Sequence, residues 1–293
     1  MRLKAVKIGD SSPEMTKGSR ADKYWKSHEM TEYYKKVRPK LDLPEKFKTN
    51  DLGVIVKTFN IKGVGFGNWL TINDRTNYTD SLVLALYDLN KLLRFKYNVG
   101  FGHLGITFGA RGGSSALAHF EPGNDIINIT RYHDGEASKE ARFFATGGLG
   151  SLAHEYGHFL DYFAGSKIAT HSQIYSLTNG RSVNKNRTDT GNKIRNIVDD
   201  ILELIMFKKP GGELSNYYKR LEAATKGEYW FRRNEIFARA FEVYCSNKFS
   251  ELGIRNNLLV SKKYSSSYYL KDSEMKPIIP KFDSLITEIR NNI

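Results

Sequence analysis

The sequence predicts an α+β fold: a small mixed sheet with an edge hairpin packed on one apolar helix, and a second such helix downstream. Three observations carry this. Two β-favouring runs flank a Pro-Gly turn between residues 116 and 130. An amphipathic helical pattern precedes them, with Leu82, Val83, Leu86, Leu89 and Leu93 spaced for one face over Thr79–Leu93. Two later segments, 149–160 and 234–242, are apolar yet carry charges.

Taken in order, residues 1–50 are polar and basic and are interrupted by Pro13, Pro39 and Pro44, which reads as an N-terminal extension with a helix over Ala21–Val37. Val54 to Phe59 is β-branched and aromatic, and Gly63-Val64-Gly65-Phe66-Gly67 breaks the run. Ile106-Thr107-Phe108 reads as a strand. Ala116–Phe120 and Ile126–Thr130 form the hairpin, with Pro122-Gly123 expected to supply the fixed φ and then the positive φ of a type II turn. Arg131–Thr146 is charged, a loop with a short helix. Ser166–Asn192 is a long polar stretch, followed by a helix over Lys193–Phe207 that ends at Pro210-Gly211-Gly212. A further helix runs from Arg233 through Tyr244, and a short one lies near Phe282–Ile289. The expected organisation is an extension (1–50), one main domain (51–250) and a C-terminal tail (251–293).

At 293 residues, 40% of them hydrophobic, the chain has the composition of a folded protein with a sizeable core. Its net charge of +13 favours acidic partners. That charge is spread along the chain, and even residues 1–50 hold only 13 Lys/Arg against 7 Asp/Glu. It reads first as a solvated surface, and a weak nucleic-acid association through it stays open. With Cys245 as the single cysteine, intramolecular disulfides and cysteine-based metal clusters are excluded. No apolar run of signal-peptide or membrane-span length stands out, so the expectation is a soluble cytoplasmic protein without membrane contact.

The segment Leu149-Gly150-Ser151-Leu152-Ala153-His154-Glu155-Tyr156-Gly157-His158-Phe159-Leu160 contains one charged residue, Glu155. It reads as a buried helix that nevertheless carries polar side chains, and unpartnered buried polar groups cost a few kcal/mol each. A metal ion removes the contradiction. Positions four apart share a helix face, so the imidazoles of His154 and His158 converge on one ion. Glu155 is rotated by about 100° from His154 and stands beside the ion, where a general base for a metal-activated water belongs.

A catalytic zinc usually takes three protein ligands. No third histidine follows at the metzincin position, where Ala164 stands near the expected place. His171 and Asp161 are candidates, Asp161 being also placed to orient a histidine as an outer partner. Glu235 is favoured, because Asn234-Glu235-Ile236-Phe237-Ala238-Arg239-Ala240-Phe241-Glu242 repeats the pattern of charges on a helix that should be buried. Arg239 and Glu242, one and two turns on, are the candidates to support it. An oxyanion stabiliser is sought among Tyr229, Tyr244, His133 and Arg111. Gly147-Gly148-Leu149-Gly150 lacks the residues of a phosphate-binding loop and is read as a tight entry into the helix. Cys245 reads as core.

These runs, together with Ile61–Trp69, Phe108–Gly112, Ala116–Gly123 and Ile127–Thr130, resemble a metallopeptidase domain found in large polyvalent proteins of phages and mobile elements. The resemblance covers roughly residues 58–246. It implies a zincin-like fold of gluzincin type and one Zn²⁺ held by His154, His158 and Glu235, with Glu155 as base. It implies hydrolysis of a protein or peptide substrate that adds to the edge hairpin as an extra strand; His119 would then either line the cleft or stack in the sheet. The alternative is a catalytically silent, metal-stabilised module that binds nucleic acid or a host protein. The charged insertion between Thr130 and Gly147 departs from the family pattern and bears on the rim of such a cleft.

Overall fold

The computed structural model describes residues 51–293 apart from 69, 71, 112–115, 131–147, 170–175, 185–190, 210, 262 and 263. The expected N-terminal helix, the Arg131–Thr146 loop, His133 and His171 lie outside the described residues. The chain is mixed α and β, and it divides into two compact units. The first runs to Leu152 and takes in Arg255–Leu259; the second comprises Ala153–Ile254 and Val260–Ile293.

The first unit holds a four-stranded sheet in the order β1-β2-β4-β3. Here β1 is Gly63–Phe66, β2 Gly105–Phe108, β3 Ala118–Glu121 and β4 Ile126–Ile129. Strands β1, β2 and β4 are parallel, and β3 pairs antiparallel with β4 at one edge. All four residues of β1, β2 and β4 are buried, while β3 is mostly half-buried. Burial on both faces explains why β2 and β4 read as apolar runs rather than as alternations. Helix α2, Ile72–Leu93, forms the crossover from β1 to β2 and packs on the sheet through Tyr78, whose ring stacks on Phe108 at 4.5 Å.

Two local expectations are corrected. The β-branched run Val54–Phe59 lies not on a strand but largely on helix α1, Leu52–Thr58, and the glycine run that seemed to break it is β1. The Asp51 carboxylate caps α1 by accepting from the Gly53 N–H at 2.8 Å, and Leu52, Ile55 and Phe59 fall on one buried face. Cap and helical spacing together outweigh β-propensity, which largely reflects packing context. At the hairpin, the Asn124 N–H closes a turn on the Glu121 carbonyl at 3.1 Å. Gly123 is not in the left-handed region; Asp125 is, with φ 52°. The connection is a four-residue loop that ends on a left-handed Asp, not a type II turn centred on Pro-Gly.

Residues Arg255–Leu259 join this unit through Asn256, whose amide donates to Asp88 of α2 at 2.7 Å while its carbonyl accepts from the Leu258 and Leu259 N–H groups. Burial pushes the Asp88 carboxyl up to about 7, partly opposed by Asn256 and Lys91. The folded chain therefore binds more protons than the unfolded one between about pH 4 and 7, so stability falls as pH rises through that window, by up to about 4 kcal/mol. Asp88→Asn is expected to unfold at higher urea than the unmodified protein at pH 8 and at the same urea near pH 4. Parallel titration curves at the two pH values would count against it.

In the second unit, α3 is Leu152–Ile168, α4 Lys193–Met206, α5 Asn216–Ala224, α6 Arg233–Glu251, α7 Asp272–Met275 and α8 Ile279–Asn292. A 3-10 turn, Glu228–Phe231, precedes α6. The residues after 260 belong to this core: Phe282 of α8 packs against Phe237, Phe241 and Tyr244 of α6. Among the described residues no helix is long and apolar enough to cross a membrane.

Candidate metal centre

Helix α3 starts where the Gly-rich segment ends. Gly148 and Gly150 both hold positive φ, 69° and 79°, and a Cβ on Gly148 would lie 2.3 Å from the Ile129 side chain. Glycine is thus demanded there by backbone shape and space, in keeping with a tight helix entry. Along α3, His154, His158 and Asp161 follow at helical spacing, and α6 carries Glu235 in its first turn. The two helices approach closely at Gly157, where an added Cβ would lie 3.2 Å from both the Ala238 Cα and the Phe241 ring. A side chain at 157 would push α6, and with it Glu235, away from the histidines.

One ligand atom each from His154, His158 and Glu235 lies within 4.8 Å of the others. The Nε2 atoms of both histidines face the Glu235 carboxylate, His154 at 3.5 Å and His158 at 3.4 Å. These separations are too long for hydrogen bonds. They match the spacing of about 3.4 Å between two ligands that each sit about 2.1 Å from a tetrahedral zinc. Glu235 is only 7% exposed, and its Oε2 is a buried oxygen with no hydrogen-bond partner. A buried carboxylate oxygen without a donor is costly, and a divalent cation held by two imidazoles and this carboxylate would supply what that oxygen lacks. The residues fit a zinc-type ion.

The charges around the group agree. Burial would lower the His154 pKa, but the facing Glu235 and Glu242 carboxylates and the charge of Glu155 outweigh it and hold the imidazole at about 10. Burial opposes ionisation of Glu235 too, yet the two histidines hold its pKa far below the usual carboxylate range. A site that attracts a proton this strongly attracts a cation, and the two compete for the same nitrogen.

Glu242, 2% exposed, faces the other nitrogen of His154, Nδ1, at 3.6 Å. Such a carboxylate behind a ligating imidazole fixes which nitrogen points to the metal. Burial first, and the Glu242 charge next, raise the Tyr264 and Tyr269 phenols, so both hydroxyls stay protonated beside that carboxylate. Glu155 is buried, and its charge acts on both His154 and the Tyr229 phenol. Tyr229 is 46% exposed as a residue, but its hydroxyl end is desolvated and meets Glu235, and both effects raise its pKa above the ordinary phenol value. Arg239 supports the turn that carries Tyr229: its guanidinium lies 5.3 Å over the Trp230 ring and donates to the Trp230 carbonyl.

Other candidates are engaged elsewhere. The Tyr244 hydroxyl donates to Asp283 at 2.8 Å within the Phe241–Phe282 aromatic cluster. Asp161 is fully buried, and its carboxylate accepts from the Thr178 amide at 2.8 Å and hydroxyl at 2.7 Å. In the first unit, the Arg111 Nε donates to Glu121 at 2.7 Å and, with Asn124 and His119, pulls that carboxyl down to about 2. His119 thus sits on the edge strand β3, its Nε2 3.3 Å from Glu121. Asn128 of β4 binds the Arg111 backbone on both sides, by its Oδ1 and its Nδ2.

Among known families, the model of the large polyvalent protein-associated domain 1 matches residues 221–293. The match takes in Glu235 and Glu242 and leaves His154 and His158 outside it. It supports an association of this chain with the large polyvalent proteins of phages and mobile elements. No curated protein and no solved structure gives a match.

Proposed function

We propose that the chain is a cytoplasmic zinc-dependent metallopeptidase of gluzincin type with a zincin-like fold, acting in a phage or mobile-element setting. The observation that carries this reading is the convergence of the His154 and His158 Nε2 atoms on a buried carboxylate, Glu235, with Glu155 beside them. His154, His158 and Glu235 would hold the ion, which when bound acidifies a water and polarises the scissile carbonyl. Glu155 takes the water's proton and returns it to the leaving amine. Tyr229, kept protonated, is the donor placed to steady the oxygen of the carbonyl under attack. Glu242 orients His154.

The net charge of +13 favours a second reading, a silent metal-stabilised module that binds nucleic acid. Incubation of the full chain with an unbiased peptide library, with and without a chelator, separates the two. Cleavage that stops on chelation and returns with zinc is the expected result. No cleavage, together with DNA binding that weakens steeply as salt rises, would favour the silent module.

A further inference from the structure

Asp161 and Arg233 lie on the two ligand-bearing helices, three residues after His158 and two before Glu235, and both end on one residue of the polar stretch between them. Every polar atom of Thr178 is used. Its N–H and hydroxyl both donate to the Asp161 carboxylate, its hydroxyl oxygen accepts from the Gly180 N–H at 3.2 Å, and its carbonyl accepts from Arg233 Nε at 2.7 Å. Thr178 is fully buried. Arg233 is held in turn by Asp199 of α4 at 2.7 Å. The same stretch stops the free N–H groups at the start of α6: Arg233 N–H donates to the Ser182 carbonyl and Asn234 N–H to the Gly180 carbonyl. Arg195 of α4, also fully buried, fastens its near end by donating to the Ser176 carbonyl at 2.7 Å. A Cβ on Gly165 of α3 would lie 2.5 Å from Ser176, so the segment is seated directly on the helix.

We propose that Thr178 is a positioning residue of the metal centre, clamping Asp161 of α3 to Arg233 of α6 and so fixing the distance between the histidines and Glu235. Asp161 spends its hydrogen bonds on this clamp, and the His158 Nδ1 neither accepts nor donates one. The inference rests on the reading of His154, His158 and Glu235 as a metal site. A ligand set held by two helices is only as well placed as the helices are, and remote residues that orient ligands typically change metal affinity about 10–100-fold.

The test uses the full chain with Co²⁺ as a spectroscopic probe and Zn²⁺ in competition with a chelator. Thr178→Val, which keeps the shape and removes the hydroxyl, is expected to weaken Zn²⁺ binding about tenfold or more and to shift the visible Co²⁺ bands. Thr178→Ser, which restores the hydroxyl, should return both. Tyr244→Phe loses a hydrogen bond in the same unit but outside the clamp, and should leave affinity and bands unchanged. Should Thr178→Val not fold, Arg233→Lys serves: it keeps a charge for Asp199 but cannot reach Thr178 as well, and the same band shift is expected. Metal uptake by the unmodified chain, with either clamp variant matching it in bands and affinity, would overturn the clamp alone. No uptake by the unmodified chain would overturn the metal-centre reading, and the clamp with it.

Discussion

Exchange of Glu155 for Gln is expected to lower peptide hydrolysis by about 10²–10⁴-fold while the protein keeps its zinc. The side chain sits beside the ligand set rather than within it. Gln matches Glu in size and fills the same buried place, but it cannot accept a proton from water or deliver one to an amine. Loss of the base therefore removes proton transfer and leaves the ligands untouched. Zinc content, measured with kcat on a cleaved peptide, makes the test specific. A variant that binds zinc and still turns over at the unmodified rate would remove Glu155 from the chemistry. A variant that has lost its zinc would place Glu155 among the ligands instead.

Much of the candidate site is legible in the sequence because burial and charge conflict there. His154, Glu155 and His158 stand in a run with no other charge, and Glu235 opens a helix of Phe, Ala and Ile. Helical spacing then states which side chains share a face, and the structure brings His154, His158 and Glu235 within one ion's reach. The parts that were not legible depend on long-range contacts between residues with no periodic pattern. Thr178 lies 17 residues from Asp161 and 55 from Arg233, inside a stretch of Ser, Thr and Asn that reads as loop. Tyr264 and Tyr269 stand in a segment of Lys, Ser and Tyr that reads as tail, yet both phenols feel the charge of Glu242. The fold shows the same division. Strands β2 and β4 announce themselves by apolar runs, whereas α1 is hidden because a β-branched composition says strand until the Asp51 cap and the spacing of Leu52, Ile55 and Phe59 are weighed. The hairpin was readable from Pro122-Gly123; its turn was not, since Asp125 rather than the glycine takes the left-handed conformation.

Zinc is expected to stabilise the unmodified chain by about 4 kcal/mol at a concentration a thousandfold above its Kd, and to stabilise Glu235→Gln far less. Binding energy at such a site is folding energy, because the unfolded chain does not hold the three ligands together. The metal-free protein carries the Glu235 carboxylate in a buried place with one oxygen lacking any hydrogen-bond donor, and the ion relieves that burden. Gln keeps the volume but is a poor ligand, so the variant forgoes most of the gain, and, having lost the carboxylate that faces the two imidazoles, it should also be less stable than the unmodified chain when both are stripped of metal. Urea unfolding with and without zinc, alongside zinc content, reads both effects. An undiminished zinc increment in Glu235→Gln would move the third ligand to another residue. Asp161 is the weaker alternative, since its carboxylate is already taken by Thr178, and the same measurement on Asp161→Asn decides it: a fall in zinc content to that of the stripped protein would make Asp161 the ligand, whereas the clamp predicts only a weakened affinity with the ion still bound at saturation.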